Sequence, residues 1–200
     1  MGGRHVILPA SFYARTADQV ARDLLGCVLV CPRGGVLCSG RIVEAEGYQS
    51  DGDSACHATR GRTERNAPMF GPPGTAYVYF TYGMHWLLNA VCNVEGVAEA
   101  ALIRAIEPIH GIDAMRRRRG DVGDVDLCRG PARLVQALGI TSADNRRDLT
   151  AGRVLWIEAG EELSDGDVVF GRRVGVGRDV RPLRFCVRGS RYVSRPAPRQ

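Results

Sequence analysis

The chain carries 27 side chains that are permanently cationic, and none of them is a lysine. Every such cation is an arginine, a planar fork suited to bidentate phosphate contacts. No side chain can form a Schiff base, so chemistry through a lysine imine is excluded. Long hydrophobic runs are also missing. Nothing approaches 18 consecutive apolar residues, and no membrane-spanning helix is expected. The opening Met1-Gly2-Gly3-Arg4-His5 leads to Pro9-Ala10-Ser11 without a signal-peptide core, which predicts a cytoplasmic protein, nucleoid-associated if bacterial. Metal spacing is absent too. The seven cysteines (Cys27, Cys31, Cys38, Cys56, Cys92, Cys128, Cys186) include no Cys-x-x-Cys pair and no histidine at ligand distance. They read as small buried hydrophobes in a reducing compartment, and no metal or organic cofactor is expected.

What the chain does have is 200 residues at 44% hydrophobic, enough for one core and too few for two comfortable ones. One domain over 1–200 is expected. Net charge is +5 and unevenly spread. Residues 1–100 hold 8 arginines against 9 acids, and residues 101–200 hold 19 against 13. From Arg172 to Arg199 there are nine arginines and a single acid, Asp179. Positive charge concentrated in one segment points to a polyanionic partner, nucleic acid first. For Arg191 to Arg199 alone, a solvated surface or frayed tail is a competing reading.

Thr16-Ala-Asp-Gln19 has the form of a capping box, and with Val20, Leu24, Leu25 and Gly26 it predicts a helix over 17–25. Strands are predicted over 27–31 and 36–48. A hairpin is predicted from Thr75–Tyr82 and Trp86–Asn93 through Gly83, and a buried strand over 100–107. Pro108 looks like a helix N1 residue, with Gly120 closing that helix after Arg116 to Arg119. Those four arginines are read evenly as DNA contacts or dipole partners. A second short helix spans 131–138, stopped by Gly139, and strand-like segments follow at 154–158, 168–170 and 183–187. Without a βαβ rhythm, the pattern predicts α+β: one compact, irregular, largely antiparallel curved sheet, flanking short helices and a protruding hairpin.

Three features carry chemistry. In Arg41-Ile-Val-Glu44-Ala-Glu46-Gly-Tyr48, strand alternation puts Ile42, Glu44, Glu46 and Tyr48 on one face. Taken alone, the segment reads as a strand with a wet carboxylate face. In the hairpin, Tyr77 and Tyr79 share a face, opposite Val78, Phe80 and Tyr82. Core filling accounts for Tyr77 and Phe80 but not for Tyr82, an aromatic at a turn beside basic surface, where wedging into a duplex is expected. Arg104 sits inside an apolar strand and needs a carboxylate partner such as Glu46, which would hold that carboxylate ionised.

The block Pro73-Gly-Thr-Ala-Tyr-Val-Tyr-Phe-Thr-Tyr-Gly-Met84 resembles the alkyladenine (3-methyladenine) DNA glycosylase family. Arg41 to Tyr48, His57, Asn66 to Phe70, Leu102 to Pro108, Leu127 to Leu134, Arg173 to Gly177 and Pro182 to Ser190 resemble it in the same order. The resemblance implies a monofunctional glycosylase acting as a monomer on duplex DNA that contains damaged purines. It implies that Glu46 is the general base, that Arg104 and the carbonyl of Val174 help hold the water, and that Tyr48, His57 and Tyr79 wall the base pocket. Asn89 matches the residue that crowds the guanine 2-amino group, Tyr82 the intercalating residue, and Met84 and His85 the groove contacts. His85 departs from the family's frequent tyrosine, and the loop 58–65 is not a close match.

Two other functions fit parts of the sequence. A non-catalytic nucleic-acid binding module fits the charge and the aromatics but leaves Glu46 and Arg104 without a role. A carbohydrate hydrolase could use Glu44 and Glu46, whose α-carbons would lie about 6.5–7 Å apart.

Overall fold

A computed structural model describes residues 6–81, 83–177 and 179–198. In chain order, its elements are α1 (Ala10–Tyr13), α2 (Ala17–Asp23), β1 (Val28–Arg33), β2 (Val36–Tyr48), β3 (Ala76–Thr81), β4 (His85–Cys92) and β5 (Glu99–His110). They continue with α3 (Ile112–Arg119), α4 (Pro131–Leu138), β6 (Trp156–Glu158), β7 (Val168–Gly171) and β8 (Arg184–Val187). The strands form one antiparallel sheet in the order β3-β4-β5-β2-β1-β6, with β8 also pairing β2 and β7 pairing β8. The fold is the compact α+β arrangement that the pattern predicts.

Strand β2 organises the sheet. Its first half pairs with β1 along one edge, and Glu44, Ala45 and Glu46 pair with β8 along the same edge, while β5 follows the other edge. Register shifts between Ile42 and Ala45 interrupt the β2–β5 ladder, the irregularity that bends a strand and re-aims its side chains. The carboxylate face is not wet. Glu44 and Glu46 are both 0% exposed, because the sheet curls over them and β8 and the segment after it close the far side.

Helix α2 shows why Gly47 stands between Glu46 and Tyr48. Ala17, Val20, Ala21 and Leu24 are fully buried at helical spacing and pack α2 onto β2 and β5. A Cβ at Gly47 would lie 3.0 Å from the backbone of Ala17, so glycine lets this helix approach closely without displacing its backbone. The predicted capping box does not form. The Thr16 side chain caps nothing, and Glu99 Oε2 accepts the Ala17 N–H at 2.8 Å, so a tertiary partner replaces the local one.

Strand β5 runs past Pro108 to His110, and α3 starts at Ile112 after Gly111 turns the chain at φ 77°. The predicted helix start at Pro108 is therefore wrong. Its missing N–H is tolerated beside the register shift at Ser39/Gly40, where the ladder is already irregular. Of the four α3 arginines, Arg116 pairs with Asp113 and Asp124, Arg118 donates to the Ala137 carbonyl, and Arg119 donates to Leu127 and Gln136. Three of the four therefore fasten α3 to its own surroundings. Helix α4 begins at Pro131 and stops at Gly139 (φ 70°), as its sequence predicts. It buries Leu134, Val135, Ala137 and Leu138.

The hairpin β3–β4 divides two apolar regions. Val78 and Leu88 face the main core, whereas Tyr77 belongs to a smaller cluster with Cys56, Met69, Val91, Ala98 and Ala100. Phe80 is not a core residue. It is 41% exposed and packs against its cross-strand neighbour Trp86 at 4.9 Å between ring centroids. Tyr82 lies outside the described residues. Among the described residues, no helix is long and apolar enough to cross a membrane.

Candidate active site

Glu46 reaches the site from near the C-terminal end of the curled strand β2. Its Oε1 accepts the Val174 N–H at 2.7 Å. Its Oε2 accepts the Tyr48 hydroxyl at 2.9 Å and Arg104 NH1 at 3.1 Å. A carboxylate offers about four acceptor positions, so three bonds leave room for roughly one more donor. Burial pushes the Glu46 pKa up, and the nearby Glu44 charge adds to this. Arg104, the Val174 amide and Tyr48 oppose the rise without cancelling it. The result is a buried carboxylate more basic than an ordinary glutamate.

Arg104 projects from β5 and is held on three sides. Nε donates to Glu44 Oε1 at 2.8 Å, NH1 to Glu46, and NH2 to the Ser194 hydroxyl at 3.1 Å. Sequence reasoning finds the Arg104–Glu46 pair because a charge in an apolar strand must be neutralised. It does not find Glu44 as the second partner, nor Arg184, whose Nε donates to Glu44 Oε1 at 2.8 Å. The signal for Arg184 is of the same kind: a single arginine at the start of the apolar run Phe185-Cys-Val187.

In front of Arg104 opens a cleft of about 420 Å³, lined by Tyr48, His57, Tyr79, Thr81, His85, Leu87, Leu102, Pro131 and the loop from Val174 to Val176. That size suits a small organic group. Glu46 lies behind this lining, screened by Tyr48, Arg104 and Val174, all of which touch both Glu46 and the cleft. The aromatic wall is fixed. Tyr79 stacks on Tyr77 at 5.1 Å and 27°, and the His57 ring meets Tyr79 edge-on at 4.5 Å. His57 Nδ1 lies 3.1 Å from the Tyr77 hydroxyl. Burial, aided by the Arg65 charge, pushes the His57 pKa below its ordinary 6.5, so the ring is neutral at pH 7.

Tyr48 is held from behind. The Arg173 guanidinium lies 4.5 Å from the centroid of its ring. Arg173 also donates to the Gly47 carbonyl at 2.7 Å and grips Asp53 through two 2.7 Å bonds. Asp53 in turn accepts the Gln49 and Ala55 amides, which shapes the loop that presents His57. Neither Arg173 nor Asp53 is recognised as a pair from sequence, since they stand 120 residues apart.

The remaining expected site residues lie elsewhere around the cleft. Asn89 is 4% exposed and lines a separate pocket of about 20 Å³ behind the aromatic wall, with Tyr48, His57, Tyr77 and Tyr79. It donates to the Tyr77 carbonyl at 3.1 Å. His85 borders the cleft itself, and Met84, 68% exposed, borders a larger groove of about 1040 Å³ that continues from the cleft over α4. Arg118, Arg119, Arg129, Arg133 and Arg195 line that groove. Of the basic segment from Arg172 onward, Arg173, Arg181 and Arg184 are engaged in internal ion pairs, so the local excess of charge facing outward is smaller than the count suggests. Among the described residues, no group of three or more histidine, cysteine or acidic side chains is arranged to hold a metal ion.

Residues 11–191 match the methylpurine-DNA glycosylase family. The chain belongs to that family. It is a DNA glycosylase, a hydrolase of N-glycosyl bonds. Among curated relatives, a protein of Carboxydothermus hydrogenoformans is 49% identical over 192 residues, covering 95% of this chain and 100% of the relative. One from Burkholderia cenocepacia is 47% identical over 197 residues, covering 96% and 93%. One from Methanoculleus marisnigri is 49% identical over 191 residues, covering 94% and 98%. All three carry the provisional name 3-methyladenine DNA glycosylase. Neither a carbohydrate hydrolase nor a non-catalytic binder fits this membership.

Proposed function

We propose that the chain excises alkylated purines from duplex DNA, with Glu46 as the base that activates water against the sugar C1′ carbon. The observation that carries this reading is Glu46 itself: buried, of raised pKa, and separated from an aromatic cleft only by the groups that hold it. The damaged nucleotide is turned out of the stack at a cost of a few kcal/mol, less where pairing is already weak. Its base enters between Tyr48 and Tyr79, beside His57. Water bound at the free acceptor position of Glu46 and steadied by Arg104 and the Val174 carbonyl adds to C1′. The N-glycosidic bond breaks, its electron pair leaves with the purine, and the proton of the water passes to Glu46. Anionic Glu46 also stabilises the positive charge that builds on the sugar.

The neutral state of His57 bears on substrate class. A 3-methyladenine or 7-methylguanine base is already cationic, leaves without protonation and gains cation–π attraction from the two tyrosines. Hypoxanthine and ethenoadenine are neutral leaving groups, and His57, with its lowered pKa, is a poor acid for them. Cationic lesions are therefore the favoured substrates, with the neutral ones following. Asn89, set behind the wall, is assigned to crowding the 2-amino group of guanine. Tyr82, outside the described residues, is assigned by resemblance to filling the vacated stack, with Met84 and His85 in the groove. The monomeric state is assigned by the family resemblance. With no lysine available, the product is an abasic site in an uncut strand.

The test uses duplex oligonucleotides carrying 7-methylguanine, ethenoadenine or hypoxanthine, followed by alkali to cut at abasic sites. Glu46→Gln should lose base release by at least about 10³-fold while duplex binding persists. Retention of base release by that variant would overturn the assignment.

A further inference from the structure

Glu44 is fully buried two residues from Glu46, and no step of the reaction above uses it. Such a group is costly to bury unless its partners are well placed. It has four of them. Oε1 accepts Arg104 Nε at 2.8 Å, Arg184 Nε at 2.8 Å and the Ser194 hydroxyl at 2.9 Å, while Oε2 accepts the Ser194 N–H. Arg184 also binds the carbonyls of Arg195 and Pro196. Glu44 is thus the hub that ties β2, β5, β8 and the segment 194–196 together through two guanidiniums.

We propose that Glu44 is a positioning residue for base excision: with Ser194 it holds Arg104 by Nε and NH2, so that NH1 alone is presented to Glu46. This rests on the assignment of Glu46 as the base. The geometry gives the reason. A guanidinium released from Glu44 and Ser194 would be free to turn into a bidentate pair with Glu46, which would then be locked as a poor base. With Nε and NH2 already committed to Glu44 and Ser194, Glu46 receives a single Arg104 bond.

The electrostatics run the same way. Burial alone would raise the Glu44 pKa, but Arg104, Arg184 and the Ser194 amide bring it below the ordinary range. Glu46, which shares Arg104 and faces the Glu44 charge, ends above it. The groups acting on Glu46 are Arg104 from β5, Glu44 and Tyr48 from β2 itself, and the Val174 amide from the loop packed over it. On the β8 side, Arg184 reaches it through Glu44, and Cys186 carries no charge, its thiol pushed up to about 12 by burial. One carboxylate is held as a permanent anion, and the other stays a usable base.

The test is single-turnover release of 7-methylguanine from a duplex, measured against pH, with duplex affinity measured in parallel. Glu44→Gln removes an anion beside Glu46, so the acid limb should move down by about one pH unit, and the plateau rate should fall about tenfold as Arg104 loses its anchor. Arg184→Gln removes a cation and leaves Arg104 as the only arginine on Glu44, so the limb should move up. The double variant E44Q/R184Q restores the charge balance and should bring the limb back toward its original position, while its rate stays low. Ser194→Ala keeps every charge and covers the case in which a charge variant does not fold. Its rate should fall several-fold with affinity unchanged. Limbs that stay fixed in both single variants, or full rates in S194A or in the double variant, overturn the positioning role. Failure of Glu46 as the base would show separately, as activity surviving in Glu46→Gln.

Discussion

Two buried ion networks flank the cleft, and they are built from the same parts. One sets Glu44 and Glu46 against Arg104 and Arg184. The other sets Asp53 and Asp179 against Arg173 and Arg181. Each balances two anions with two cations, yet they end in different states. Burial works against the Asp53 charge, but two bonds from Arg173, the Gln49 and Ala55 amides and the Arg173 charge outweigh it, and its pKa is lowered. Asp179 is also lowered, chiefly by its hydrogen bonds from Arg181. In the first network only Glu44 is lowered. What separates the two is the sharing of donors. Asp53 commands both ends of Arg173, while Glu46 has one nitrogen of an arginine whose other nitrogens serve Glu44 and Ser194. Equal charge counts thus give one closed clamp and one network with a basic carboxylate left over.

The largest effect should come from opening the clamp. Arg173→Met leaves Asp53 buried without its bidentate partner and removes the support behind Tyr48. Breaking a buried pair costs about 3–5 kcal/mol. The midpoint of chemical denaturation should fall accordingly, and base release should fall with it. Glu46→Gln should behave in the opposite way, losing activity without losing stability. A folded-state pKa raised above the unfolded value adds stability below about pH 4.5, and that stability is lost as pH rises through the raised pKa. At neutral pH, a side chain that cannot ionise escapes this penalty. A denaturation midpoint for Glu46→Gln well below that of the parent would erase the distinction between the networks.

The next effect is a separation on the pH axis. Glu46 must be anionic to act, so activity is lost as pH falls through a pKa lying above 4.5. Asp53 has a depressed pKa. Its contribution to stability is present above its ordinary 3.8 and is lost only as pH falls through the lower folded value. On acidification, base release should therefore disappear before the fold does. Rates for a 7-methylguanine duplex and the circular dichroism signal, followed over the same pH range, test this. Coincident curves would mean that the loss of activity is simply unfolding.

These networks also mark where sequence reasoning stops. Arg104 declares its need for a partner because it interrupts Ala100 to Ile106, and Glu46 is then within reach on a neighbouring strand. The hairpin and the pairing of Tyr77 with Tyr79 follow from alternation alone. Glu44 was not legible as buried, since alternation says only which face it shares, and the curl of β2 at its register shifts decides whether that face is wet. Arg173 and Asp53 are brought together by the fold from distant segments, and no local pattern encodes such a pair. Local motifs also give way to tertiary contacts. Glu99 displaced Thr16 as the partner of the α2 N-terminus, and Pro108 was absorbed into β5 at an irregular point of its ladder.

The smallest effect sharpens the comparison most. Arg181 touches both Asp53, at 2.5 Å, and Asp179, at 2.7 Å, and so, like Arg173, bridges the two acids of the clamp. Its environment differs. The Arg181 side chain is 28% exposed, whereas that of Arg173 is 0% exposed. Water can take over the Asp179 bonds if Arg181 is removed, and Asp53 keeps both Arg173 bonds and its two backbone amides. Partly exposed pairs are worth about 0–1 kcal/mol. Arg181→Gln should therefore lower the denaturation midpoint only slightly, leave the rate of base release within about twofold, and leave the acid limb in place because Glu46 does not contact it. Arg184→Gln, the matching change in the other network, should move that limb. The pair of variants compares one arginine lost from a network with donors to spare and one lost from a network whose donors are all assigned. A limb shifted equally by both would mean that the Glu46 pKa follows total charge near the cleft and not the sharing of Arg104.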